Sequence, residues 1–235
     1  MSLVLHGVNF SYNKRSCGLV DVDLNVGPGM TAILGANGAG KSTLLRVLAT
    51  ELRCYSGKIS FDGTQLSKST IRDYRKLSGW VPQSEMIQPD ETPFQFVSKV
   101  AWLRGLSGKR LEHASHAALE RVSLSDEADI KSKELSGGMK RRAAIAAGIV
   151  HNPTYLLLDE PTAGLDPTLR EGHIKQLRGL ADDGVHVLFS THVPTDLEEA
   201  DYLIVMKNGS VILHAPTEEL KQEHGSIQNA YRQFF

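Results

Sequence analysis

The chain has 235 residues, 41% hydrophobic and 23% charged, which suits one large domain, or a domain carrying a subdomain, with a sizeable buried core. Its 26 Lys+Arg against 27 Asp+Glu leave a net charge of −1, which excludes a global field for recruiting nucleic acid or an anionic membrane surface. Two cysteines without metal-ligand spacing, Cys17 and Cys54, fit a reducing compartment better than an oxidised scaffold; no apolar run has signal-peptide character or approaches the roughly 18 residues of a spanning helix.

In chain order, residues 3–12 and 20–26 read as strands, the second alternating apolar and polar. Residues 31–35 form a short apolar strand that runs straight into Gly35-Ala36-Asn37-Gly38-Ala39-Gly40-Lys41-Ser42. From Ser42 to Leu52 the apolar positions Leu44, Leu45, Val47 and Leu48 have helical spacing. Strands follow at 57–63 and 79–83, the latter ending at Gln83. Between about 84 and 135 no strand pattern occurs, and 93–122 has helical spacing broken at Gly105 and Gly108, which reads as a helical insertion.

A helix of small and basic residues then precedes YLLLDEP (155–161), an apolar strand ending in two carboxylates. Further strands read at 185–191, 201–207 and 210–214; about 216–235 reads as a C-terminal tail, its last ten or so residues frayed. Buried apolar strands alternating with helices predict an α/β fold with a parallel sheet, and the paired early and late strands predict an antiparallel β edge. The expected division is an α/β core over 1–83 and 141–215 with a helical subdomain over about 84–140.

Three motifs carry chemistry. The glycine loop suits a polyphosphate: glycines 35, 38 and 40 allow close backbone approach, and the following helix adds free amides. Lys41 then supplies a point charge for the outer phosphates and Ser42 a hydroxyl for Mg²⁺, the pattern of a P-loop. Asp159, at the end of a buried strand, can share that Mg²⁺, and Glu160 next to it can orient or deprotonate an attacking water. At LSGGM (135–139), Ser136 reads either as an ordinary N-cap or as the start of a second anion-binding helix.

Taken together these motifs resemble the ATP-binding cassette ATPases, the nucleotide-binding components of ABC transporters, over nearly the whole chain. The resemblance implies a P-loop NTPase core with an antiparallel β edge and an inserted helical subdomain. It implies that Tyr12 stacks on adenine, against the alternative of a strand aromatic packed in a core. It further implies that Gly35, Asn37, Gly38, Ala39, Gly40, Lys41, Ser42 and Thr43 bind ATP, that Ser42, Gln83 and Asp159 hold Mg²⁺, and that Gln83, Glu160 and His192 are catalytic. Ser136, Gly137 and Gly138 would contact ATP bound by a second subunit, homologous or identical, and the loop carrying Asp166 would cross the dimer interface. Met139 departs from the glutamine commonest at its position.

The resemblance also implies a transmembrane permease partner, no nucleic acid, and a cytoplasmic location, peripheral on the inner face of the membrane. SGGMKRR with PTAGLDP leans toward exporters; a soluble ATPase in assembly or regulation is the other reading. Lys140-Arg141-Arg142 reads best as a solvated face. Met86, Ile87, Phe94, Phe96, Val97 and Trp102 are either a groove for the membrane subunit or the core of the helical insertion.

Overall fold

The computed structural model describes residues 2–13, 16–54, 56–84 and 86–234. In chain order the strands are β1 (Leu3–Asn13), β2 (Ser16–Val26), β3 (Met30–Leu34), β4 (Ser56–Phe61), β5 (Thr64–Gln65), β6 (Ser78–Val81), β7 (Tyr155–Leu158), β8 (His186–Thr191), β9 (Tyr202–Lys207) and β10 (Ser210–Pro216). The helices are α1 (Lys41–Leu48), α2 (Ile71–Leu77), α3 (Pro93–Leu103), α4 (Gly108–Arg121), α5 (Gly137–Ile149), α6 (Pro167–Asp182), α7 (Thr217–His224) and α8 (Ile227–Phe234).

Two sheets result. One is antiparallel, in the order β2-β1-β4-β5; the other has the order β10-β9-β3-β8-β7-β6 and is parallel except where β10 pairs with β9. The apolar runs of β3, β7, β8 and β9 follow from burial on both faces. Alternate residues divide between two cores: Leu156, Leu158, Val187 and Phe189 face one, while Tyr155, Leu157 and Leu188 face the other. The first core is closed by α3, α4, α5 and α6, and the second by α1 and the antiparallel sheet.

Among the described residues no strand occurs between β6 and β7, and α3, α4 and α5 pack on one another there. Pro93 begins α3 behind a Thr92–Gln95 capping box, in which each side chain accepts the other residue's backbone N–H. One continuous helix, α5, runs across position 140 into the sheet-packed region.

Residues 217–234 fold into α7 and α8, so the described part of the last ten or so residues departs from the expected fraying. Thr217 and Leu220 of α7 and Ile227 and Ala230 of α8 are buried, the last three in the first core. Isolated helices this short are marginal in water, so these apolar anchors, each stabilising by up to ~2 kcal/mol, hold them. Gly225, at φ 76°, turns the chain between them.

Candidate nucleotide-binding and catalytic site

Because β3, β8, β7 and β6 run parallel and adjacent, their carboxyl ends lie along one sheet edge. That edge presents the loop 35–42 after β3, His192 after β8, Asp159 and Glu160 after β7, and Gln83 beyond β6. Ligands collect at this edge of open α/β sheets. An open cleft of ≈ 510 Å³ lies there, lined by Tyr12, residues 37–43, Gln83, Glu160 and His192.

The loop is shaped by steric need. Gly40 has φ 106°, and a side chain there would meet the Gly18 carbonyl at 2.8 Å; Gly38 has φ 81° and its missing Cβ leaves open space. Lys41 Nζ donates to the carbonyls of Gly35 (2.7 Å) and Ala36 (3.2 Å), so the ammonium is held at the loop. Burial lowers its pKa from the ordinary lysine value, opposed by the Glu160 and Asp159 carboxylates. The N-cap of α1, Gly40, provides no side-chain acceptor, so the first amides of α1 carry no side-chain cap. Tyr12 is 50% exposed, packs edge-on against Phe10 and shares a 3.1 Å hydrogen bond with the Thr43 hydroxyl; it rims the cleft and is not a core aromatic.

The carboxylates are tied across three strands. Asp159 Oδ1 accepts from Ser42 Oγ (2.9 Å) and from Ser190 Oγ (2.6 Å), and Ser190 Oγ also accepts the Glu160 backbone N–H (2.9 Å). Glu160 sits at φ 46°, a sparsely populated conformation for a residue with a side chain, retained where the surroundings over-determine it. Its Oε2 accepts from Gln83 Nε2 (3.3 Å) and its Oε1 lies 3.4 Å from His192 Nδ1. A carboxylate flanked by an amide and an imidazole can order and deprotonate a water. Ser42 and Asp159 offer hard oxygen donors. Such a donor set fits Mg²⁺, which takes one or two protein carboxylates and completes its shell with phosphate and water oxygens.

Ser136, Gly137, Gly138 and Asp166 do not line this cleft. Ser136 is the N-cap of α5, its Oγ accepting the Met139 N–H at 3.2 Å, and both it and Gly137 are exposed. Asp166 is the N-cap of α6, accepting from Thr168 N and Leu169 N. His173 ties the two helix starts together, one ring nitrogen 3.3 Å from the Gly138 carbonyl and the other 2.9 Å from the Leu169 carbonyl.

Several residues take places that the sequence reading did not assign. Ser190, which links Asp159 to Glu160, had no motif to mark it. Arg141 and Arg142 are not on a solvated face: the Arg141 guanidinium donates to the carbonyls of Pro82, Gln83, Asp159 and Pro161, and Arg142 donates to that of Ser123. Of the apolar group after Gln83, Ile87, Phe96 and Val97 are core residues and Phe94 packs against that core, while Met86 and Trp102 (65% exposed) face outward.

The family model described as ABC transporter matches residues 19–163. Three curated relatives align over most of the chain. An ABC transporter ATP-binding protein of Bacillus subtilis, YxlF, is 35% identical over 92% of this chain and 67% of its own length. A Nod factor export ATP-binding protein I of Burkholderia orbicola is 35% identical over 95% and 69%. The methionine import ATP-binding protein MetN 1 of Rhodococcus jostii is 34% identical over 91% and 65%. The chain thus spans about two thirds of the length of these relatives. Among solved structures, cbiO1 of Clostridium perfringens, described as part of the ABC transporter complex cbiONQ, superposes with a TM-score of 0.85 at 33% identity, covering 94% of this chain and 90% of that one. The dimeric post-hydrolysis cassette MJ0796, bound to ADP and Pi, gives 0.81 at 26% identity, covering 91% and 98%.

Proposed function

This chain belongs to the ABC transporter family, and on that premise we propose that it is the ATP-hydrolysing subunit of an exporter, working through ATP-driven head-to-tail pairing of two cassettes. It is an ABC-type ATPase, and the observation that carries the fuller reading is the Gln83–Glu160–His192 contact set beside the Ser42–Asp159 pair. In this reading Lys41 and the amides of 37–43 bind the outer phosphates and Tyr12 stacks on the adenine. Ser42, Asp159 and Gln83 would hold Mg²⁺, which supplies charge neutralisation on the phosphates. Glu160 orients the attacking water and takes its proton, and His192 donates toward the terminal phosphate.

Ser136, Gly137 and Gly138 of a second cassette, identical or homologous, complete each site, with the Asp166 loop at the interface. The exposure of Ser136, Gly137 and Asp166, away from the chain's own cleft, supports this. The α/β core spans 1–83 and 141–215, with the helical subdomain at about 84–140. In this reading translocation falls to a separate permease subunit, which holds the ATPase on the cytoplasmic face; no helix among the described residues is long and apolar enough to cross a membrane. The Nod factor export relative and the SGGMKRR and PTAGLDP segments favour export; the methionine import relative is the competing case.

The test is Glu160→Gln. Turnover should fall on the order of 10³-fold or more while ATP drives a stable dimer on size-exclusion chromatography, as expected for loss of the water-activating group. Undiminished hydrolysis would remove Glu160 from the chemistry. Direction is read with the co-purified permease in vesicles: ATP-dependent uptake into inverted vesicles supports export, and its restriction to right-side-out vesicles overturns it.

A further inference from the structure

We infer that Arg141 is a positioning residue that clamps the Gln83 loop to the Asp159–Pro161 segment, so that α5 carries the water-orienting amide and carboxylate as one unit. This rests on the assignment of Gln83 and Glu160 to the chemistry. The need for a clamp follows from the backbone. The β6–β7 ladder ends where the Asp159 N–H donates to the Val81 carbonyl at 2.9 Å. In that register Pro161, which has no N–H, cannot donate to the Gln83 carbonyl, and the carbonyls at the two strand ends take a donor from elsewhere.

Arg141 supplies it from the second turn of α5. Its Nη1 donates to Pro82 O (2.7 Å) and more weakly to Gln83 O (3.4 Å), Nη2 to Asp159 O (2.6 Å), and Nε to Pro161 O (3.1 Å). A planar five-donor fork can reach both strand ends at once; the single ammonium of lysine cannot hold that geometry. All four acceptors are main-chain carbonyls, so the contact fixes backbone position and not a side-chain rotamer. Gln83 and Glu160 each adjoin clamped carbonyls, and their side chains meet at 3.3 Å. Burial pulls the guanidinium down to about 10, opposed by Asp159 and Glu160, which leaves it charged at neutral pH.

Ser136 caps the same helix five residues earlier, on the order of 7–8 Å along the axis at 1.5 Å per residue. A ligand seated on that end therefore connects through one rigid helix to the water-orienting pair, a linkage of about one and a half turns.

Arg141→Met and Arg141→Lys test this by turnover, by mant-ATP binding and by amide hydrogen exchange. Both variants should lower kcat on the order of 10–100-fold, the scale of a small misplacement of reacting groups. Their mant-ATP affinity should stay within about twofold, and exchange should rise in 83–84 and 159–163 with the rest of α5 unchanged. In Gln83→Ala, adding Arg141→Met should cost no more than about threefold further, since both act on one unit. Unchanged exchange in those segments overturns the clamp. Altered exchange with kcat within twofold of wild type, full activity in Arg141→Lys, or multiplying effects with Gln83→Ala overturns its role in turnover. If Arg141→Met fails to fold, Arg141→Lys decides. Glu160→Gln run in parallel separates the outcomes: normal hydrolysis there refutes the assignment of Glu160, while exchange still judges the clamp.

Discussion

Two helix starts in this molecule, those of α1 and α5, present backbone amides next to glycines, and they are finished in opposite ways. At α1 the N-cap is Gly40, which offers no side-chain acceptor, and the helix opens into a cleft bordered by Gln83, Glu160 and His192. At α5 the N-cap is Ser136, whose hydroxyl already accepts the Met139 N–H, and the helix opens outward with Ser136 and Gly137 exposed. In the proposed function the first gathers phosphate-binding groups, a cation donor pair and a water-orienting set from one chain. The second lies outside that cleft, its Gly137 lining a separate pocket that Gln83 and Glu160 also border. The lesson is that a glycine-flanked helix start becomes a reactive site only through what neighbouring strand ends bring to it.

The largest expected effect breaks the comparison at α5. Ser136→Arg should cut ATP turnover on the order of 10³-fold in the assembled ATPase, by putting bulk and charge where a second cassette's nucleotide would close. ATP binding to the isolated monomer, measured by equilibrium dialysis, should be unchanged because Ser136 lies outside the chain's own cleft. A proportional loss of monomer binding would show that the two helix starts are not separate.

Stability should follow the buried end of the same helix. His151, just beyond α5, sits 3.2 Å from the Ser78 carbonyl, and its pKa is lowered to about 4, first by burial and then by Arg104, against the Ser78 hydrogen bond. Its folded pKa lies below the unfolded value, so the unfolded chain takes the proton first as pH falls. The stabilising contribution is complete above about pH 6.5 and is lost between 6.5 and 4, a difference of about 3 kcal/mol. Urea denaturation at pH 7 and pH 4.5 should show a steeper acid loss in wild type than in His151→Asn. Equal losses would remove His151 as the source.

The smallest effect belongs to the rim of the α1 cleft. Tyr12→Ala should weaken ATP binding by about 1–2 kcal/mol, roughly tenfold, by loss of stacking, and leave kcat at saturating ATP within about twofold. A matching fall in kcat would place Tyr12 in the chemistry instead.

Local signals were readable wherever a residue's role depends on its near neighbours. The 35–42 loop needs only a strand before it, a helix after it and glycines at set positions. Ser190 and Arg141 were not readable this way. Ser190 matters because β8 lies between β3 and β7, placing its hydroxyl 2.6 Å from Asp159, 31 residues away. Arg141 matters because the carbonyls beyond the end of the β6–β7 ladder take a donor from 58–59 and 18–20 residues away. The helices over 217–234 were missed because their polar surfaces hide a few anchors whose value exists only against a core.

By itself the sequence determined the α/β class and the glycine loop, since hydrophobic period and glycine spacing are short-range properties of the chain, while Gln83 and His192 were marked only by the family resemblance. Only the tertiary structure decided which of those residues touch. Strand order sets which loops adjoin, and hydrogen bonds of about 3 Å form only between groups that the packed sheet has already brought together.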